Sequence, residues 1–565
     1  MEKPQTEFAT GSEDSETLGP TSSDTSLRSE IDRPELPLAR FWALTIGLLT
    51  GLLVSFLDTS IVATSLFAIA SEFHVLGSAN WVALAYSLAY LGCATLLAQI
   101  SDIVGRHNAF IASYFIFITF SIACGFAQTL NQLIICRAIQ GLGGSGLYSI
   151  TMIILPEVSP RGMKQFVGGL VGIVIATSSI LGPVLGGILT QYVSWRWVFW
   201  INGPIGAFSA LLFYFTWPKP HYLPSLERKS WKELDYFGSI LLIAAAVLVV
   251  FPFQNIGMIA NQWSKAVFIA PLIVGLVLWA GLFLWSLFIN QRWERIDAAL
   301  PIRLLRDRVY AAALLNTLFL GFPYMLVIYA FPLRLQIVND KTPIISGLML
   351  LPMLGFSAVG SVISGGINTK RNRIFETLVT GTCLMVLGCG LLSTLSNSYK
   401  VEPKALGFLV FVGLGFGMVV STTTIAATYQ SSTRDHAPAQ GLMAQARVLG
   451  GSIGLAASSA VVGVMLENKV DLSRSGLLLF FFGGGPDVTF TELAKIRDVY
   501  SDAFNEDMRI CTIIGGIAIL SSLGTYTSSR SRLNLEERRE QQIKECLERR
   551  KASQSSQALC EPTPV

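Results

Sequence analysis

Apolar runs of about 20 residues recur from Phe41 to Ser528 with short polar interruptions. A run of that length is what a helix needs to cross a bilayer. A chain patterned this way has no means of hiding its apolar surface in one water-soluble core. Composition agrees: of 565 residues, 52% are hydrophobic and 14% charged, against about 25% charged in an ordinary soluble domain. Backbone groups in hydrocarbon must be satisfied within their own segment, and no strand alternation competes, so the runs read as helices. The expected fold class is all-α transmembrane.

The runs fall near 41–69, 80–101, 109–129, 134–156, 166–189 and 196–216, then 236–253 and 266–289, then 310–331, 344–366, 374–396, 405–429, 441–466 and 509–528. This six, two, six pattern divides the chain. A polar tail over 1–40 is expected to be disordered, since it lacks the apolar region of a signal peptide. A six-helix bundle over 41–216, a linker over 217–309 with two extra spans, a second bundle over 310–528 and a tail over 529–565 follow. Residues 467–508 read as one long loop whose run over 477–486 is too short to cross a bilayer. A faint internal repeat, GLGGSGLYSIT from Gly141 against GLGFGMVVSTT from Gly413, fits two related halves.

With the N-terminus inside, the cytoplasmic loops collect roughly sixteen Lys and Arg and the short outer loops about five, the bias expected of inner loops. An even span count then puts both termini in the cytosol. The net charge of +4 follows from this asymmetry and gives no reason to expect nucleic acid as a partner. The plasma membrane is the expected location, with the vacuolar membrane as the alternative.

Of eight cysteines, six lie in spans, as packing residues rather than a disulfide framework. The four histidines, His74, His107, His221 and His436, fall in predicted loops far apart. No metal site, cofactor motif or catalytic cluster is legible, so an enzyme is not expected.

The chemistry-bearing residues are few. Asp58 stands roughly 20 Å into the first span, near the bilayer centre, where a carboxylate is costly unless it faces a cavity or a partner. Arg137 in the fourth span cannot discharge, so it needs a carboxylate, carbonyls or a substrate anion. The two are expected to meet. Arg447 in span thirteen is a third charge, able either to attract an anionic substrate or to snorkel to the inner loop. An apolar cavity with a few polar groups would use Trp81, Tyr86, Asn316, Tyr324, Tyr329 and Gln445, all on spans expected to face it.

Five motifs then carry a resemblance: LDTSIVAT from Leu57, SDIVGRH from Ser101, RAIQGLGGSG from Arg137, GIVIATSSILGPVLGG from Gly172 and WRWVFWINGP from Trp195. Together they resemble the fourteen-span drug:proton antiporters of the major facilitator superfamily, fungal multidrug, secondary-metabolite and toxin exporters in particular. The resemblance implies two six-helix bundles plus two extra helices. It implies proton coupling by Arg137 and Gln140 beside Asp58, and gating by Asp102 and Arg106 with Gly105 at the turn. It also implies an exporter motif of Gly172, Gly182, Pro183, Gly186 and Gly187. Ala98 and His107 depart from the family's loop pattern, which puts the strength of the latch in doubt. The function implied is proton-coupled export of small organic molecules by a monomer in the lipid bilayer, with the proton gradient as energy source and no cofactor. A vacuolar basic amino acid, siderophore or nutrient carrier of the same fold is the alternative.

Overall fold

The computed structural model describes residues 36–74, 78–160, 164–219, 222, 231, 234–258, 265–292, 298–300, 302–370, 372–431, 436–469 and 490–526. Among them stand fourteen helices long and apolar enough to cross a membrane. They are α1 (Leu38–Glu72), α2 (Trp81–Val104), α3 (Arg106–Gly125), α4 (Leu130–Val158), α5 (Lys164–Tyr192) and α6 (Trp197–Thr216). The extra pair is α7 (Tyr236–Met258) and α8 (Ala266–Arg292). The rest are α9 (Arg308–Ile337), α10 (Pro343–Asn368), α11 (Ile374–Leu392), α12 (Lys404–Gln430), α13 (His436–Lys469) and α14 (Phe490–Ser522).

Polar residues mark several helix starts. Thr129 accepts from the Gln132 amide to open α4, and Asp307 accepts from Val309 and Tyr310 at α9, each satisfying donors that a first turn leaves free. In one bundle α1 packs on α5 and α6, and α4 on α2 and α3. In the other α9 packs on α13 and α14, and α12 on α10 and α11. The extra helix α7 lies against α2, α13 and α8, bridging the two bundles. Asp235 ties the pair together: its carboxylate accepts from the Gly238 amide, the Trp285 indole and the Ala299 amide at 2.7 to 2.9 Å. The outer row of α8, with Ile273, Leu276, Val277 and Leu284, is left exposed, as a lipid-facing helix requires.

The bundles meet mainly toward the end where α1 finishes and α2 begins, called here the far end; the opposite end is the basic end. Tyr329 on α9 donates to the Thr59 carbonyl on α1 at 2.8 Å. Asn80, just before α2, bonds Ser459 on α13. Nearer the middle, Gln445 on α13 donates to the Leu91 carbonyl on α2 at 2.9 Å.

The last helix departs from expectation. It begins at Phe490, whereas the hydropathy pattern placed a loop through residue 508. Its first turns carry Arg497, Asp502, Glu506, Asp507 and Arg509, which mask the helical signal. Yet Ile496, Val499 and Tyr500 pack as a buried cluster with Ile337 at the end of α9 and with Val338 just after it. The run over 477–486 lies outside the described residues. Two histidines assigned to loops also stand on helices: His107 in the first turn of α3 and His436 at the start of α13.

Candidate functional site

Asp58 lies on the inward face of α1 and is fully buried, as are Arg137, Gln140 and Asn202. Arg137 Nη1 bonds Asp58 Oδ2 and also donates to Gln140 Oε1 at 2.8 Å. Its Nε donates to the Val82 carbonyl of α2 at 3.1 Å. The second carboxylate oxygen, Oδ1, accepts from Gln140 Nε2 at 2.9 Å and from Asn202 Nδ2 at 2.8 Å. Asn202 in turn donates to Ser121 Oγ at 3.0 Å. Below the guanidinium lies the ring of Tyr86, 4.3 Å from its carbon. Helices α1, α2, α3, α4 and α6 thus contribute to one closed polar cluster inside the first bundle. Such a cluster is tolerated in an apolar core because its charges are paired and bonded, with Asn202 Oδ1 left buried without a partner.

Asn202 sits in the WRWVFWINGP motif but is not distinguishable in sequence from a helix-start asparagine; only the bond to Asp58 assigns it here. Tyr86 belongs to this cluster rather than to a cargo-facing wall.

At the basic end, Arg106 Nη1 bonds Asp102 Oδ1 at 2.7 Å and Ser101 Oγ at 3.0 Å. Its Nε and Nη2 grip both oxygens of Glu157 at 3.0 and 2.9 Å, a fork that fits a carboxylate in two parallel bonds. Glu157, at the end of α4, was not singled out in the sequence. Gly105 between α2 and α3 has φ 99° and ψ 139°, a conformation essentially reserved for glycine. His107 turns away from this latch and stacks at 5.7 Å on Phe213, beside Trp217.

The glycines of α5 make close contacts on two sides. A Cβ on Gly182 would stand 1.9 Å from Ser60 Oγ, and one on Gly186 2.3 Å from the Ile61 carbonyl, both on α1. A Cβ on Gly187 would stand 2.7 Å from Ile344 Cα, at the start of α10 in the other bundle. From that bundle, Gly347 comes close enough that its own Cβ would lie 2.3 Å from the Pro183 carbonyl. Gly172 lies further back along α5.

The proposed cargo contacts separate into groups. Tyr329 and Gln445 lie at the seam between bundles, as above. Tyr324 stacks on Phe416 with centroids 3.4 Å apart. Asn316 does not face the seam: it donates to Thr382 Oγ1 at 3.3 Å and to the Ala518 carbonyl at 2.8 Å, tying α9 to α11 and α14 inside the second bundle. Trp81 lies at the far end, lining a cavity of about 640 Å³ with Phe73, Gln128 and Ile134. Asn316 differs from expectation because a hydropathy pattern locates a residue along a helix but not around it. Arg447 is partly buried; its Nε is buried without a partner, and Tyr90, Tyr148 and Tyr324 act electrostatically on its charge.

Residues 48–455 match the Major Facilitator Superfamily. The chain belongs to that superfamily. Among its relatives, the MFS-type transporter FPY5 of Fusarium mangiferae is 32% identical, over 85% of this chain and 83% of its own length. Multidrug resistance protein 3 of Bacillus subtilis (strain 168) is 30% identical over 76% of this chain and 81% of its own. Efflux pump aflT of Aspergillus parasiticus is 25% identical over 86% and 95%. The superfamily fold is also that of a bacterial homolog to human lysosomal transporter Spinster in an inward-facing, unoccupied conformation. That structure aligns with a TM-score of 0.61 at 14% identity, over 87% of this chain and all of that one. This protein is therefore a multi-pass membrane transporter of the major facilitator superfamily with fourteen helices long enough to span.

Proposed function

We propose that the protein is a proton-coupled antiporter that exports small organic molecules. The observation that carries the reading is the closed Asp58–Arg137–Gln140–Asn202 cluster. Asp58 accepts each of these bonds, from Arg137, Gln140 and Asn202, the pattern of an ionised carboxylate held by a cation. A proton arriving on Asp58 would cancel the charge that holds Arg137 and free the guanidinium to move. Since Arg137 also binds α2 through the Val82 carbonyl, its release loosens packing within the first bundle. That is a route from protonation to rearrangement. Relatives named efflux pump and multidrug resistance protein support the outward direction.

The basic loops orient the basic end to the cytosol under the inner-loop charge rule, and the plasma membrane is the location this reading favours. A proton moving down its gradient supplies about 1.4 kcal/mol per pH unit and roughly 2.3 kcal/mol per 100 mV. Two pH units would sustain about a hundredfold cargo ratio. The Arg106 fork latches the basic end, and the glycine contacts of α5 seal the far end against α10.

A carrier of basic amino acids, siderophores or nutrients has one residue in its favour. Asp507 on α14 is a buried carboxylate bonded to Ser458 at 2.5 Å, the kind of acid that cationic cargo would seek. It lies within the second bundle rather than at the seam, which favours the export reading.

The test compares accumulation of a hydrophobic dye in cells expressing the protein and in empty-vector cells. Export predicts lower accumulation, erased by a protonophore. Higher accumulation on expression would replace export with uptake.

A further inference from the structure

Two arginines, Arg137 and Arg334, are buried in the helical core, and a third, Arg447, is partly buried there. Arg137 is neutralised by Asp58. Arg334 on α9 donates to the Ser396 carbonyl at 2.9 Å and to Ser501 Oγ at 3.2 Å and lies over the Phe504 ring, though its Nε also lacks an acceptor. Arg447 has neither arrangement. No carboxylate pairs with it among the described residues, and its Nε is buried without an acceptor. Its α13 neighbours Ala444 and Val448 pack on the cluster that holds Tyr90 of α2 and Tyr148 of α4, Gly321 of α9, just before Tyr324, abuts the Arg447 carbonyl, and these three phenols act electrostatically on its charge. The Tyr90 hydroxyl is itself buried with no partner.

These residues come from both bundles. Tyr90 and Tyr148 belong to the first, with ring centroids 6.0 Å apart, and Phe56 of α1 stands 5.8 Å from Tyr148. Arg447, Tyr324 and its stacking partner Phe416 belong to the second. The seam between bundles is where a transporter of this fold holds its cargo in alternating access. A guanidinium cannot discharge, and a cation in an apolar setting demands an anion and acceptors for its donors. Phenol hydroxyls can donate to the same anion, while their faces and that of Phe416 favour flat apolar rings.

Resting on the export reading, we infer that Arg447 and the tyrosines around it form the cargo site and that the cargo class is an organic anion with a planar aromatic body, such as an aromatic carboxylate. The acid group seats on the Arg447 fork with a bond from Tyr90, and the ring system lies between the aromatic faces of the two bundles. Cargo charge and proton charge are then handled at separate places, Arg447 and Asp58.

The experiment measures binding of 1-pyrenebutyric acid and of its uncharged counterpart 1-pyrenebutanol to the purified full chain, by fluorescence, with protein-free micelles subtracted. The acid is expected to bind at least about tenfold tighter than the alcohol. Arg447→Gln should bring that ratio to about one while alcohol binding stays as in wild type, which also reports an intact fold. Equal binding of the two compounds to wild type, or a preference kept by Arg447→Gln, overturns the inference. Should Arg447→Gln bind neither compound, Tyr90→Phe decides. A fall of about threefold in acid affinity alone supports the site, and no change overturns it. Proton-driven transport in vesicles separates this from the export reading: acid preference without driven export would sink the latter alone, and driven export without acid preference the former alone.

Discussion

Asp58 is gripped by two residues of a single helix face: Arg137 bonds its Oδ2, and Gln140, one turn further along α4, donates to its Oδ1 at 2.9 Å. The spacing of three residues on α4 brings both side chains to the same stripe of the helix. A carboxylate held this way is not free to take a proton without first loosening its hold on α4. Charge state and helix packing are thereby one variable.

Asp58→Asn keeps the shape of the side chain and removes its charge. Proton-driven uptake into inverted vesicles is expected to fall at least about tenfold, while cargo exchange with no gradient imposed persists. Coupling equal to wild type in this variant would take Asp58 out of the proton path.

Stability should follow the pair rather than either member. Removing one partner of a buried ion pair costs about 3–5 kcal/mol, because the other charge is left uncompensated. Arg137→Gln is expected to lower the melting temperature markedly, and Asp58→Asn/Arg137→Gln to restore much of the loss. Additive losses in the double variant would mean that the two residues do not share one interaction.

Arg137→Lys is expected to be nearly as inactive as Arg137→Ala. The guanidinium bonds Asp58, Gln140 and the Val82 carbonyl at once, and a lysine ammonium lacks the fixed planar fork. An active lysine variant would reduce the role of Arg137 to charge alone.

Glycines of α5 should be intolerant where a control glycine is not. Gly187→Val would drive a side chain into the Pro343–Ile344 backbone across the seam, preventing far-end closure and leaving a passive leak or no transport. Gly366→Ala, where a Cβ would meet nothing within 4 Å, should leave transport unchanged and gain up to about 1 kcal/mol from better helix propensity. Normal gradient-driven export by Gly187→Val would show that this contact does not seal the pathway.

At the basic end, Gly105→Ala is expected to cost about 1–3 kcal/mol from its backbone conformation alone. Glu157→Gln keeps the backbone but weakens the fork on Arg106. Labelling of a cysteine introduced beside the latch should speed up in Glu157→Gln; an unchanged rate would mean that Glu157 does not hold this end shut.

Residue by residue, the sequence determined the helix count, the six, two, six order and the presence of Asp58 and Arg137 in apolar spans. Hydrocarbon imposes a length on every crossing segment and a penalty on every charge, and both are legible locally. The α14 start escaped because Arg497, Asp502, Glu506 and Asp507 dilute its hydropathy, while the contacts that hold it, Val499 and Tyr500 on Ile337 and Val338, lie at the end of another helix. Tertiary structure alone brought Asn202 to Asp58, 144 residues away, and Glu157 to Arg106, 51 residues away. It alone turned Asn316 into the second bundle and left Arg447 among tyrosines without a carboxylate. Rotation of a helix about its axis is set by the close approach of its neighbours, such as Gly141 against the Tyr86 carbonyl and Gly321 against the Arg447 carbonyl. Those approaches depend on which helices cross, and the apolar pattern of a single span carries no record of its partner.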